Sequence, residues 1–209
     1  MWVSTRSRRA SGKGGSIHRH SVVFVIALAL SALVATGPAS AAAKPKLGGG
    51  GKACERWGDR EAERLRTKQA RKGVACLINA ERRAEGLHTL RRRGRLARAA
   101  QRHVRLMTAS GCFAHQCPGE DSLEDRLFEV GYFASGLSLW DFREIVAFGR
   151  KEDGTPRAVV AAWMASPQHR ANLLYPHVRD IGVGFAYGAP IASEGPGGVY
   201  TVTFGLRGR

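Results

Sequence analysis

Apolar positions along this chain repeat with two periods, and the switch between them falls just after Leu174. Upstream they recur every three or four residues. Val74, Leu77 and Ile78, followed after two polar turns by Leu87 and Leu90, mark a helical stripe with Gly86 as its C-terminal cap. Leu96, Ala99, Ala100, His103 and Met107 mark a second stripe, closed by Gly111, with Arg95, Arg98, Arg102 and Arg105 mostly off that face. Ser122, with Asp125 three positions on, caps a third helix carrying Leu123, Leu127, Phe128 and Val130 up to Gly131. Thr155 before Pro156 opens a fourth, nearly all apolar from Ala158 to Met164, and Ser166 before Pro167 opens a short fifth. Between the third and fourth, Trp140 to Gly149 reads as a short strand or an irregular segment around Glu144.

Downstream the period falls to two. Ile181, Val183 and Phe185 alternate with Gly182, Gly184 and Ala186, and Val199 to Leu206 is β-branched and aromatic. Turn residues from Gly188 to Gly198 join them, which predicts a hairpin with a longish loop. Helices first and strands later argue for an α+β layered domain over residues 73–209.

The first 41 residues have a different character. Residues 1–20 are polar and basic without an acid, Val22 to Val34 is apolar, and Ala39-Ser40-Ala41 offers a cleavage site, so 1–41 reads as a secretory signal peptide. The apolar run is short for a hydrocarbon layer of about 30 Å, and no other segment reads as a span, so no transmembrane segment is expected after cleavage. Residues 42–72 read as a linker with Gly48 to Gly51 in a row, then a polar extension from Asp59 to Lys72.

Charge narrows the partners. Losing residues 1–41 removes five of the formal +16 charges and leaves +11. Outside the cell such a surface favours anionic envelope components, meaning wall polymers, acidic glycans or lipid headgroups, and no nucleic acid is expected as a partner.

An exported chain also meets oxidising conditions, so Cys54, Cys76, Cys112 and Cys117 are expected to bridge. Three pairings exist; Cys112 and Cys117 are close enough to bridge locally, which leaves Cys54 with Cys76. Loop closure assigns about 2 kcal/mol to the first and about 3 to the second. The rival is a metal cluster of Cys112, His115 and Cys117, although structural zinc usually takes four ligands.

Two histidines stand out by position. His169 lies on the first turn of its helix, where the positive end of the dipole favours a neutral imidazole able to accept a proton or ligate a cation. His103 lies on an apolar face and reads as a hydrogen-bonded core residue. Chemistry-bearing motifs are otherwise scarce. Ser166 lacks a G-x-S-x-G context, and Gly48 to Gly51 precedes no strand–helix unit that would make a phosphate loop.

Taken in order, several short boxes resemble the CAP superfamily of cysteine-rich secretory, antigen and pathogenesis-related proteins, in its exported bacterial branch. They are Leu77-Ile78-Asn79 with Arg82 and Gly86-Leu87, then Ala99-Ala100 with His103 and Met107, and Phe113-Ala114-His115. Arg126 with Gly131-Tyr132 follows, then Glu144 to Gly149. The most distinctive is Trp163-Met164, Ser166-Pro167, His169-Arg170, Asn172 and Leu173, followed by Ile181 to Gly184 and Phe204-Gly205.

The resemblance implies an α-β-α sandwich with a central cleft formed by His115, Glu144 and His169. Two imidazoles and a carboxylate would be the ligand set of an open site for a divalent cation such as zinc. Two departures bear on catalysis: Ile145 replaces the asparagine after the glutamate, and Val202 stands where the last strand carries glutamine. The Cys112, Cys117 pair around His115 is also outside the usual bacterial pattern, and would stiffen the loop that presents the histidine. Without donors for a developing oxyanion, hydrolysis is disfavoured. The expected function is a secreted, non-enzymatic binding module for an envelope component or apolar ligand, with a divalent cation at the cleft as an optional part. The competing expectation is a metal-dependent hydrolase of peptide or wall polymer.

Overall fold

The computed structural model describes residues 4–9, 51–134 and 136–208, and of residues 4–9 the backbone alone. The apolar run and cleavage site of the expected leader, with Gly48 to Gly50 of the linker, lie outside the described residues. Strand β1 (Ser4–Arg9) falls within the expected leader and runs antiparallel to residues 139–144.

Helix α3 (Gly94–Ser110) follows the second stripe closely. Leu96, Ala99, Ala100, His103 and Met107 are all buried, and Gly111 ends the helix at φ +65°, the left-handed conformation that glycine adopts without strain. Helix α2 (Thr67–Ala84) buries Val74, Leu77 and Ile78 as expected, but it starts well before Val74. Ala70 and Gly73 face the core there, and small residues leave little trace in a hydropathy pattern; a Cβ at Gly73 would lie 3.1 Å from Trp57. The segment read as a polar extension also contributes core. Helix α1 (Lys52–Trp57) and the turn after it bury Cys54, Ala62 and Leu65 in the same cluster as α2.

Both disulfides form as paired above. Cys54–Cys76 has a Cα separation of 5.4 Å and Cys112–Cys117 one of 5.9 Å, so the sulfurs beside His115 are unavailable to a metal.

Helix starts follow their capping residues. Ser122 Oγ accepts from the Asp125 N–H at 3.2 Å and opens α4 (Leu123–Glu129), and Thr155 Oγ1 accepts from Ala158 N–H at 3.2 Å to open α5 (Pro156–Ala165). Helix α6 (Pro167–Leu173) is the exception, because Ser166 makes no side-chain cap bond.

The strands form one sheet in the order β1-β3-β5-β4-β2. Strands β4 (Asp180–Gly188) and β5 (Gly197–Gly208) make the expected hairpin, in register from Asp180 opposite Gly205 to Gly188 opposite Gly197. Strand β3 (Leu139–Gly149) is neither short nor irregular: its eleven residues pair with β5 along their whole length. It sits between α4 and α5 in the chain, so the strands do not simply follow the helices. Strand β2 (Arg91–Arg92) pairs parallel with β4. Arg91 Nε and Arg93 Nε lie 3.2 and 3.0 Å from Oδ1 of the buried Asp180, which also accepts from Tyr132 Oη at 3.1 Å.

Alternation across the sheet makes three layers. Ile181, Val183 and Phe185, with Ile145, Tyr200 and Val202, face α2 and α5 in the largest core cluster. Gly182 and Gly184 face the other way, and α3 lies directly on them. A Cβ at Gly182 would collide with the backbone of Leu96 and Ala97, and one at Gly184 with the carbonyl of Ala100. Gln101 seals this contact, donating to Phe185 O at 2.9 Å and accepting from Phe185 N–H at 3.1 Å. The result is the α-β-α sandwich. Gly182→Ala is expected to destabilise the protein by about 3 kcal/mol, since backbone cannot yield as a side chain does. A chemical denaturation midpoint within experimental error of wild type would refute that packing.

Candidate functional site

Period-two geometry sends Glu144 to the α3 side of β3, opposite to Ile145, and there it is fully buried. Three ionisable side chains meet it directly, from α3, from α4 and from the loop between them, and a fourth joins through two of these. His115, in the loop that the Cys112–Cys117 bridge tightens, has Nδ1 3.2 Å from Glu144 Oε1. Arg126 of α4 donates from Nη1 to Oε2 at 3.4 Å and from Nη2 to Oε1 at 3.3 Å. The same Nη2 donates to the His115 carbonyl at 2.9 Å, so one guanidinium fixes both the acid and the loop carrying its imidazole.

His103 of α3 has Nε2 3.9 Å from Glu144 Oε1. Its two ring nitrogens also meet Glu120 Oε1 at 2.8 Å and the Ala114 carbonyl at 2.9 Å. Glu120 completes the set, accepting from the Cys117 N–H at 3.0 Å and lying 3.5 Å from Arg126. Two acids, one guanidinium and two imidazoles thus share one network in the interior. Burial by itself raises the Glu144 carboxyl, but the His115 hydrogen bond and the charges of Arg126 and His103 more than offset it, leaving the carboxyl below its ordinary value. Glu120 ends low by the same balance, with burial opposed by the His103 hydrogen bond and the Cys117 N–H.

His169 is separate from this network. Its Nδ1 lies 2.8 Å from Ser166 Oγ, which is why that hydroxyl does not cap α6. Burial pushes the His169 imidazole below its ordinary pKa, and the nearby His115 adds to the shift. His115 and His169 line one cavity of about 270 Å³, whose remaining wall is largely Phe113, Val146, Phe148, Val159, Ala162 and Trp163. Glu144 is not in that wall. Ile145 and Val202 sit opposite each other in register, both fully buried in the large core cluster.

The three side chains expected to share an ion therefore have different surroundings. His115 and His169 face the cavity, while both oxygens of Glu144 lie against Arg126, whose positive charge opposes a cation there. Among the described residues, no group of three or more His, Cys, Asp or Glu side chains is arranged to hold a metal ion. This donor set fits an internal ion network better than a cation.

Sequence reading missed Arg126 and Glu120 as members of this cluster. A signal for Arg126 was present: it lies on the same face of α4 as the buried Leu123 and Leu127, where an arginine needs a buried partner. Glu120 stands in a loop among polar residues and carried no such mark.

Comparison with known proteins agrees with this architecture. Residues 76–204 match the CAP cysteine-rich secretory protein family. The uncharacterised protein YkwD of Bacillus subtilis (strain 168) is 36% identical over 125 residues, covering 59% of this chain and 45% of that protein. An extracellular protein with an SCP domain from Bacillus anthracis superposes with a TM-score of 0.53 at 25% identity, over 66% of this chain and 40% of the other. An outer surface protein from Borrelia burgdorferi has the same fold, with a TM-score of 0.54 at 22% identity over 69% of this chain and 97% of its own. The chain thus spans less than half the length of the two Bacillus proteins. Since the family match extends over more than half of the chain, with the fold and the order of its boxes in agreement, the chain belongs to the CAP family.

Proposed function

We propose that the protein is a secreted, non-enzymatic CAP module that takes a small, largely apolar group of an envelope component into the cleft between the loop of His115 and helices α5 and α6. The observation that carries this reading is the contrast between the cleft and the acid behind it. The walls are mostly hydrocarbon and aromatic surface, with the two imidazoles and Asp153 as the ionisable residues of the lining, the usual make-up of a site for an apolar ligand with one polar end. The carboxylate that would serve as base or metal ligand is held by Arg126 and His115. Secretion is supported by the N-terminal pattern, by the two disulfides and by the extracellular and outer-surface descriptions of structural neighbours.

Decanoate, as an apolar chain with an anionic end, is expected to bind saturably and to displace an environment-sensitive dye from the cleft. Ala162→Phe fills the cleft from an exposed helix position, and should weaken decanoate binding about tenfold or more without altering the denaturation midpoint. Unchanged binding in that variant would remove the cleft as the site. Hydrolysis of peptide or wall polymer that disappears with chelator and in His169→Ala would replace the binding reading with that of a metal-dependent hydrolase.

A further inference from the structure

On the face of the molecule defined by α2, β2 and the start of α3 lies a second cavity, of about 410 Å³. Lys68, Arg71 and Lys72 border it from α2, and Arg92 and Arg93 from the β2 segment. No acidic side chain is in its lining; Asp180, next to the lining residue Ile181 in the chain, is already paired with Arg91 and Arg93. Helix α3 begins at this spot with Arg93 at its N-cap, no side-chain cap and no acid in its first turn. Seventeen residues of helix thus direct the positive end of their dipole into a ring of cations, where helices ordinarily gather acids. Arg71 is held in place, donating to Ala97 O at 3.1 Å and to Gln101 Oε1 at 2.9 Å. The side chains of Lys72 and Arg92 make no hydrogen bond or ion pair among the described residues, so both are available to a ligand.

The same two residues, Lys72 and Arg92, also line a neighbouring hollow of about 360 Å³ that continues along α2 towards Ala53. Together the two hollows make a cationic trough longer than a single phosphate needs. Neither hollow has an aromatic side chain in its lining, so bases would have nothing to stack on.

We infer that this trough binds successive phosphate groups of an extended, base-free phosphodiester polymer. The concave form, shared between two hollows, suits a chain lying in it better than a flat lipid surface. This site is independent of the cleft proposed above, and Ala162→Phe leaves it unchanged.

The test uses the purified protein and linear poly(glycerol phosphate), titrated at two salt concentrations. Saturable binding is expected. Lys72→Ala with Arg92→Ala should weaken it about tenfold or more and lower the salt slope by about 2, one for each phosphate that the variant no longer neutralises. Arg64→Ala with Arg83→Ala removes the same charge from exposed positions elsewhere and should leave affinity within about twofold. Equal weakening in both double variants would mean that net charge, and not the trough, binds the polymer, and would overturn the inference. So would the absence of saturation, or tighter binding to phosphatidylglycerol vesicles or to single-stranded DNA than to the polymer.

Discussion

Glu144→Ala is expected to destabilise the protein by about 3–5 kcal/mol, because it leaves Arg126 buried with Glu120 as its remaining acid and deprives His115 and His103 of their neighbour. Glu144→Gln keeps an acceptor for Arg126 and should lose less. A urea midpoint for the alanine variant corresponding to under about 1 kcal/mol would show the network to be energetically idle.

The same groups set the response to acid. Glu144 and Glu120 are more acidic in the fold than their ordinary 4.5, so they stabilise the native state above that value. Their contribution is lost as pH falls through their lower folded values. His169 acts in the same direction from a higher pH. Its folded pKa lies below the ordinary 6.5, so the unfolded chain takes up a proton first and stability declines below that pH until the native ring also protonates. Stability is therefore expected to fall in two stages, the upper absent in His169→Ala and the lower reduced in Glu144→Ala. A flat profile from pH 7 to about 5 would contradict the His169 assignment, and no further loss of stability as pH falls below 4.5 would contradict that of the two carboxylates.

Arg82→Ala is expected to be comparably severe, at about 4 kcal/mol. Arg82 is fully buried, donating from Nε to His88 O at 3.0 Å and from Nη1 to Leu173 O at 2.8 Å and Tyr175 O at 3.0 Å. One side chain on α2 thereby satisfies the end of α6 and the loop before β2. Burial, with Arg179 nearby, lowers its guanidinium to about 10, which still leaves it charged at neutral pH. Lysine cannot span three carbonyls in different directions, so Arg82→Lys should recover little of the loss. Amide exchange in residues 173–179 ought to rise more than elsewhere; uniform protection in the variant would show that the clamp is not local.

These two side chains illustrate what could be read before the fold was known. Arg82 and Glu144 both stood in boxes that resembled the family; the resemblance placed His115 in one cleft with Glu144, yet it named neither Arg126 nor His103 as partners of the acid, nor any partner of Arg82. Those of Glu144 come from residues 103, 115 and 126, and those of Arg82 from 88, 173 and 175. The early start of α2 escaped notice for a different reason: Ala70 and Gly73 are buried through their smallness, and small residues occur on either face of a helix. Conversely, the caps at Ser122 and Thr155 were legible because each is a contact across three residues of chain.

Local rules determined the parts of this protein that depend on neighbours in the chain: the helical stripes, the caps, the β4–β5 hairpin and the pairing of cysteines five residues apart. Tertiary structure alone decided that β3 runs full length beside β5, that α3 rests on two glycines, and that Glu144 is neutralised by an arginine while His115 and His169 face a cavity without it. The reason is physical. Periodicity tells which way a side chain points, but a buried charge takes its state from whichever groups the fold brings within a few ångströms, and those lie tens of residues away.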